Sequence, residues 1–389
     1  MQIVGLFAGI GGLEVGFGQA GHKTIMTSEI LPAARAVLER RLPHTELVGD
    51  VREVKTLPAD TDAIVAGFPC QDLSQAGLTA GLDGDRSGLV EEIFRLMAKS
   101  RPRWVVLENV PFMLQLRHGS AMRRIVQSIE DLGYLWAWRV IDTNGFGLPQ
   151  RRERVFLVAS REGDPADVLL ADDNPWERPK TAIGRVAHGF YWTEGRGGLG
   201  WAVNAIPTLK NGSAIGIPSP PAILMPDGRV IKPDIRDAER LQGFPEDWTL
   251  PAEDVGRAST RWGLVGSAVS VPVAAWLGSR FQVEGRYDRE RDRAFPPAGR
   301  LPKAARYDGR DRHAVDISVD PVGMSAPALA SFLRHDGAML SERATAGFRQ
   351  RTKVASLRFA EGFLEAIDHH LDLVSGAMAT LQMEEKRVA

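Results

Sequence analysis

Cys70 is the only cysteine in 389 residues, and it stands in Gly67-Phe68-Pro69-Cys70-Gln71, directly after the apolar run Ala63–Ala66. A thiol at the end of a buried strand, opening into a polar, glycine-rich loop, is placed to act as a nucleophile. Nearby helix N-terminal amides lower a thiol pKa from about 8.5, and a small thiolate fraction suffices for attack. The plain alternative is an inert, buried cysteine. Glu108 ends the apolar run Trp104–Leu107 and opens Glu108-Asn109-Val110. A partly desolvated carboxyl there keeps its proton, or shares it with a ring nitrogen of a substrate. Gln150-Arg151-Arg152-Glu153-Arg154 precedes Val155–Val158, and along an extended chain Gln150, Arg152 and Arg154 share one face. Arginines at such an edge suit a substrate carbonyl, a phosphate or the carboxylate itself; a solvated strand edge is the alternative.

A second group points to a ligand. Phe7-Ala8-Gly9-Ile10-Gly11-Gly12-Leu13-Glu14 lies between a first strand and a first helix, where glycines let the backbone approach a bound molecule closely. A dinucleotide fingerprint would carry a third glycine where Glu14 stands, and a carboxylate there opposes a pyrophosphate. A cofactor without phosphates is favoured. Glu29 follows Gly9 by twenty positions, the spacing at which an acid meets ribose hydroxyls; an acid at a helix N-terminus, before Pro32, is the alternative. Asp50 either accepts from an adenine amino group or caps the helical turn after it. Together these residues describe an adenosine site.

The elements that must position them read as strand, turn, helix, repeated. Apolar runs at 3–7, 24–27, 63–66, 104–107 and 155–158 alternate with helix candidates at 31–41, 88–99 and 122–132. Such alternation implies an α/β fold with a parallel sheet, whose ligands bind outside the carboxyl ends of the strands. Phe7, Glu29, Asp50, Cys70 and Glu108 all sit at or directly after such ends. Residues 160–262, rich in Gly, Pro and Trp, read as a smaller irregular or β-rich region. Val269–Phe281 returns as an apolar helix that docks on the first domain. From Arg280 to Arg312 ten Lys/Arg face six Asp/Glu, which reads as a solvated linker reaching to about 320, before a helical tail. The formal net charge of −1 gives no whole-chain sign of a polyanion partner. No apolar run reaches the roughly 18 residues that span a bilayer, and a lone cysteine, unable to form an internal disulfide, fits a reducing cytoplasm.

With these motifs in order, the chain resembles the DNA (cytosine-5)-methyltransferases over roughly residues 1–280. The resemblance rests on Phe7–Phe17, Ser28–Ile30, Gly49–Val51, Gly67–Gly77, Glu108–Val110, Gln150–Phe156, Arg236–Pro245 and Gly263–Pro272. It implies a Rossmann-like, S-adenosyl-L-methionine-dependent sheet at 1–160, completed by 263–281, and a target-recognition domain at 161–262. The linker at 282–320 and a helical accessory segment at 321–389 lie beyond it. It implies that Cys70 attacks carbon 6 of a flipped-out cytosine, Glu108 bonds ring nitrogen 3, and Arg152 and Arg154, with Gln150, steady the base. Cofactor contacts carried over are Phe7, Gly9, Gly11, Glu29, Ile30, Asp50, Val51, Pro69, Leu89 and Ser267. Ser267 departs from the family's asparagine, which implies a weakened or water-bridged contact. Ser74–Leu89 resembles a loop closing over the base. DNA contacts would come from Gln71, Ser74, Arg86, Ser87, Tyr191, Trp192 and Arg196, with Trp201 as a further candidate, although aromatic residues at 191–201 equally suit the core of a small domain. No metal is expected. The implied partner is duplex DNA, bound by a monomer in the cytoplasm, beside a restriction endonuclease or phage-defence proteins. An RNA cytosine methyltransferase and a decayed DNA-binding relative remain as alternatives. A cysteine hydrolase lacks an accompanying histidine motif.

Overall fold

The computed structural model describes residues 1–69, 88–194, 200–211, 220–283, 285–355 and 358–388, the last helix with side chains to residue 376. Five strands run parallel at its centre: β1 (Gln2–Leu6), β2 (Lys23–Ser28), β3 (Glu46–Val48), β4 (Ala63–Gly67) and β5 (Trp104–Asn109). Helices α1 (Gly12–Gln19), α2 (Pro32–Arg41) and α3 (Leu89–Ser100) make crossovers between them, and α4 (Ser120–Asp131) follows β5. Because helices cover both faces, the central strands are apolar throughout rather than alternating: Ile3, Val4, Ile64, Val65, Val105 and Val106 are all fully buried.

The expectation of a parallel sheet holds only for this half. β6 (Leu135–Asp142) and β8 (Glu153–Ser160) run antiparallel to each other, and β8 pairs antiparallel with β5. The short connection between them, which includes β7 (Gln150–Arg151), suits an antiparallel return and is too short for a helical crossover. On β6, Trp136 and Trp138 share a face, and their rings stack at 4.8 Å.

The stretch at 282–320, read from its charge as a linker, instead extends this sheet. It contributes β14 (Asp292–Ala294), β15 (Ala304–Tyr307) and β16 (Arg312–Val315), giving the order β14-β16-β15-β6-β8-β5-β4-β1-β2-β3. Key charges in it are paired rather than solvated: Arg306 is 2% exposed and meets Asp292 at 2.5 Å, and Arg312 meets Glu130 at 2.6 Å.

A second, five-stranded antiparallel sheet consists of β10 (Trp201–Val203), β9 (His188–Phe190), β12 (Ala222–Leu224), β13 (Val230–Lys232) and β17 (Ala338–Met339), in that spatial order. α5 (Pro165–Leu169) precedes it. β11 (Ile206–Pro207) ties it back by pairing with β7. α6 (Ile235–Leu241), α7 (Thr260–Ser267) and α8 (Val271–Arg280) then return the chain to the first sheet. The stretch Thr260–Arg280 is long and apolar enough to cross a membrane by length and composition, but 61% of it is buried inside the protein, which is how a core helix reads. After it come α9 (Leu329–Phe332), α10 (Glu342–Thr352) and α11 (Phe363–Val388).

Candidate active site

At the carboxyl ends of β1, β2, β4 and β5 lies a cleft of about 1180 Å³. This is where a doubly wound sheet leaves room for a ligand. Phe7, Gly9, Glu29, Ile30, Asp50, Val51, Pro69, Leu89 and Ser267, all expected to hold a cofactor, line it. Glu29 is pinned between two elements: its Oε2 accepts from the Gly9 amide at 2.8 Å and its Oε1 from the Leu31 amide at 2.7 Å. Each oxygen keeps a further lone pair for a ligand hydroxyl. Ile30 and Leu31, 59% and 53% exposed, form an apolar lip beside it. Asp50 caps the turn Val51–Glu53 and also grips Arg52, with contacts down to 2.6 Å. Those bonds hold its carboxyl below the usual range.

The glycines of the first loop divide by task. Gly9, at φ +58°, has nothing within 4 Å of the place a Cβ would occupy, and it lines the cleft. Gly11 is not among the lining residues; at φ +88° it forms the left-handed entry to α1, facing Leu38 and Leu42. Gly12 and Gly16 let α1 lie against α8, where a Cβ would stand 2.4 Å from the Val269 carbonyl and 2.4 Å from the Ala274 Cβ. Nor does Glu14 face the loop's ligand side as its spacing suggested. It is 2% exposed, directed at Gly5, and burial pushes its pKa up to about 8. A neutral carboxyl inside the fold repels no phosphate, so that part of the argument against a dinucleotide falls.

At the other end of the cleft stands Glu108, 8% exposed, with Arg154 Nε at 3.1 Å from its Oε1. Burial raises the Glu108 pKa, while Arg154 and then Arg152 pull it back. Room for the carboxyl comes from Gly67, whose Cβ would lie 3.3 Å from Glu108 Oε2. Of the three residues expected on one arginine-rich face, Arg154 alone lines the cleft. The other two hold backbone. Arg152, 1% exposed, donates to the carbonyls of Leu209 (2.9 Å), Gly266 (3.2 Å) and Ala268 (2.6 Å). Gln150 donates to Leu241 O at 2.8 Å and accepts from the Leu209 amide at 3.0 Å. Both side chains, carried by the first sheet, therefore hold residue 209 beside the returning chain at 241 and 266–268.

Two groups at the site were not singled out from the sequence. Asn109 donates to the Phe68 carbonyl at 3.0 Å, tying the end of β5 to the turn at Pro69. The signal was present in Glu108-Asn109-Val110, but nothing in the sequence says which backbone an amide will find. Lys210 lines the cleft 3.8 Å from the Tyr191 ring centroid and pairs with Glu194 at 2.6 Å. Tyr191, expected at the DNA, also lines the cleft, and its hydroxyl donates to the Thr208 carbonyl. Trp192 instead bonds Pro220 O at 3.1 Å, and Trp201 packs edge-on against Phe363 at 4.6 Å, so Trp201 serves as core. Cys70, Gln71, Ser74, Arg86, Ser87 and Arg196, with most of the loop 74–89, lie outside the described residues.

Residues 1–191 match the model of the C-5 cytosine-specific DNA methylases. The chain is 41% identical to Type II methyltransferase M2.BsuMI of Bacillus subtilis (strain 168), across 96% of its own length and 98% of that protein's. It belongs to the C-5 cytosine-specific DNA methylase family. Among other relatives of this methylase, Type II methyltransferase M1.ScrFI of Lactococcus lactis subsp. cremoris is 31% identical, over 70% of this chain and 75% of that one. The Dnmt2 methyltransferase of S. pombe shares the fold, with a TM-score of 0.52 at 16% identity, over 72% of this chain and 97% of the other. Among the described residues of the methylase, no cluster of three or more His, Cys, Asp and Glu could hold a metal ion.

Proposed function

We propose that this methylase transfers a methyl group from S-adenosyl-L-methionine to carbon 5 of a cytosine in duplex DNA, with Cys70 as nucleophile. The observation that carries the reading is one continuous cleft with an adenosine-type end at Glu29 and a buried Glu108–Arg154 pair at the other. Pro69, the residue before Cys70, lies between them on the cleft wall. The residues present fit the cofactor: a pinned acid with spare lone pairs, an apolar lip at Ile30 and open space over Gly9. Ile30, Asp50, Val51 and Leu89 would flank its adenine, with Phe7 and Ser267 toward its amino-acid portion. Bound there, it supplies an electrophilic methyl group.

Cytosine is a poor nucleophile at carbon 5, so the chain's task is to make it a better one. The Cys70 thiolate adds to carbon 6, forming a sulfur–carbon bond and moving the ring electrons toward carbon 5. Glu108 bonds ring nitrogen 3 through a proton held between them and stabilises the charge that develops there. Arg154 fixes the Glu108 carboxyl and offers its remaining donors to the base. Once carbon 5 is methylated, its proton leaves to a base, the electron pair re-forms the ring double bond, and Cys70 is expelled. The target base must leave the duplex to reach this depth, at a cost of a few kcal/mol. Residues 1–160 with 263–281 would form the catalytic unit, and the second sheet would read the sequence. Type II methyltransferases among the relatives support a place beside a restriction endonuclease.

A duplex carrying 5-fluorocytosine tests the chemistry, because fluorine cannot leave as a proton does. Wild-type protein with cofactor should give an adduct stable to denaturant and mapped to Cys70. DNA bound normally with no adduct at any target would point to a decayed site instead.

A further inference from the structure

The tail beyond residue 320 is built into the second sheet. β17 pairs with β13 through Ile231 and Met339, and His370, fully buried, accepts from the Val230 amide at 3.1 Å and donates to Leu340 O at 2.9 Å. Phe348, Phe363 and Ile367 share one core with Phe190, Leu224 and Val230. α10 spends Thr345, Phe348 and Thr352 on that packing. Its opposite side carries Arg343, Ala346, Gln350 and, just past the helix end, Lys353, spaced three and four residues apart and all exposed. Among the described residues, nothing covers this stripe of the helix. Where Gly347 borders the stripe, a Cβ would meet only the tip of Arg351, so a partner can approach closely.

The charges of α10 are not all available. Arg349 is held by Asp368 in two bonds, at 2.6 and 2.8 Å, and Arg351 donates to the Trp192 carbonyl at 2.5 Å. Among the described residues, no ion pair engages Arg343, and Lys353 acts on Asp368 only at a distance. Arg351 also ties α10 to Trp192, the residue after the cleft-lining Tyr191. Although the exposed Glu342 borders it at the helix start, a face that presents Arg343 and Lys353 beside a glutamine and small residues, on a helix tied to the residue after Tyr191, is complementary to a phosphate backbone.

We propose that the outer face of α10, through Arg343 and Lys353, grips the backbone of duplex DNA beside the target site, making the tail part of the DNA-binding surface. This rests on the reading of the protein as a DNA methyltransferase. The test is duplex binding by the full chain with S-adenosylhomocysteine present, measured by fluorescence anisotropy over a salt series, for wild type and R343Q/K353Q. Two lost phosphate contacts make the log–log salt slope shallower by about 2, weaken binding by about tenfold at physiological salt, and do so equally for any sequence. K353Q alone should change the slope by about 1, and R343K/K353R should restore it. Melting temperature and S-adenosylhomocysteine affinity should stay at the wild-type values. A salt slope for R343Q/K353Q equal to wild type overturns the proposal. The 5-fluorocytosine adduct of the wild-type protein separates the two ideas: adduct with unchanged slope sinks the surface alone, while no adduct sinks the function.

Discussion

Glu108 and Glu14 are both buried carboxyls whose pKa is raised by desolvation, and they differ in company. Glu108 has Arg154 at 3.1 Å, whereas neither oxygen of Glu14 has a hydrogen-bond partner among the described residues. The first is poised for proton chemistry, and E108A should lower kcat by about 10²–10⁴-fold with cofactor affinity unchanged, as isothermal titration and initial rates would show. The second is a stability liability. Between pH 4.5 and about 8 the unfolded chain gives up the Glu14 proton while the folded chain keeps it, so stability falls as pH rises through that window. E14Q removes the titration. Urea unfolding should find E14Q and wild type alike below pH 4.5, with the mutant gaining by on the order of 5 kcal/mol at most above pH 8. A gap that does not grow with pH would refute this. The type and position of Glu14 were legible in the sequence, but its direction was not, because that depends on the space left at Gly5, where a Cβ would lie 2.0 Å from Glu14 Oε1.

Elements place these residues through backbone contacts that motif spacing does not reveal. The strand-end positions of Glu29, Asp50 and Glu108 follow from apolar runs, since a buried strand needs such a run and must end where polar residues begin. Alternation put Gln150, Arg152 and Arg154 on one face, yet only Arg154 reaches the cleft. The others meet carbonyls of residues 209, 241, 266 and 268, contacts that exist only after the second region has folded back. Replacing Arg152 by Met leaves the buried Leu209 and Gly266 carbonyls without a donor and Ala268 with only a long bond from Gln242, and should destabilise the protein by about 3–5 kcal/mol. Lysine should not rescue it, because three acceptors around a planar fork do not suit one ammonium. Denaturant midpoints of R152M and R152K would check this. The α1–α8 contact offers a second test: G16V forces a side chain into the Ala274 Cβ, and should cost about 1–3 kcal/mol by overpacking.

For the whole molecule, the apolar runs of the first 160 residues marked strands of the large sheet, whereas the charge-rich chain beyond residue 280 was misread as a linker although it extends that sheet. Charge-rich stretches read as solvent-facing, but pairs such as Arg306–Asp292 and Arg312–Glu130 join residues that are neighbours only across a folded sheet. The tail was visible as helices, not as the missing half of a core, since Phe348, Phe363 and Ile367 find Phe190 and Leu224 across a long sequence separation. Deleting residues 336–389 removes those three side chains, each worth about 1.5–3 kcal/mol on burial. Limited proteolysis should then cut within 180–232 while leaving 1–160 resistant; an unchanged digest would show the tail to be dispensable. The most direct measurement of the central claim is mass spectrometry of nucleosides from duplex DNA incubated with the protein and S-adenosyl-L-methionine. 5-Methyldeoxycytidine should appear with wild type and be absent with C70S. Methylation at an exocyclic amino group, or full 5-methyldeoxycytidine formation by C70S, would contradict the account.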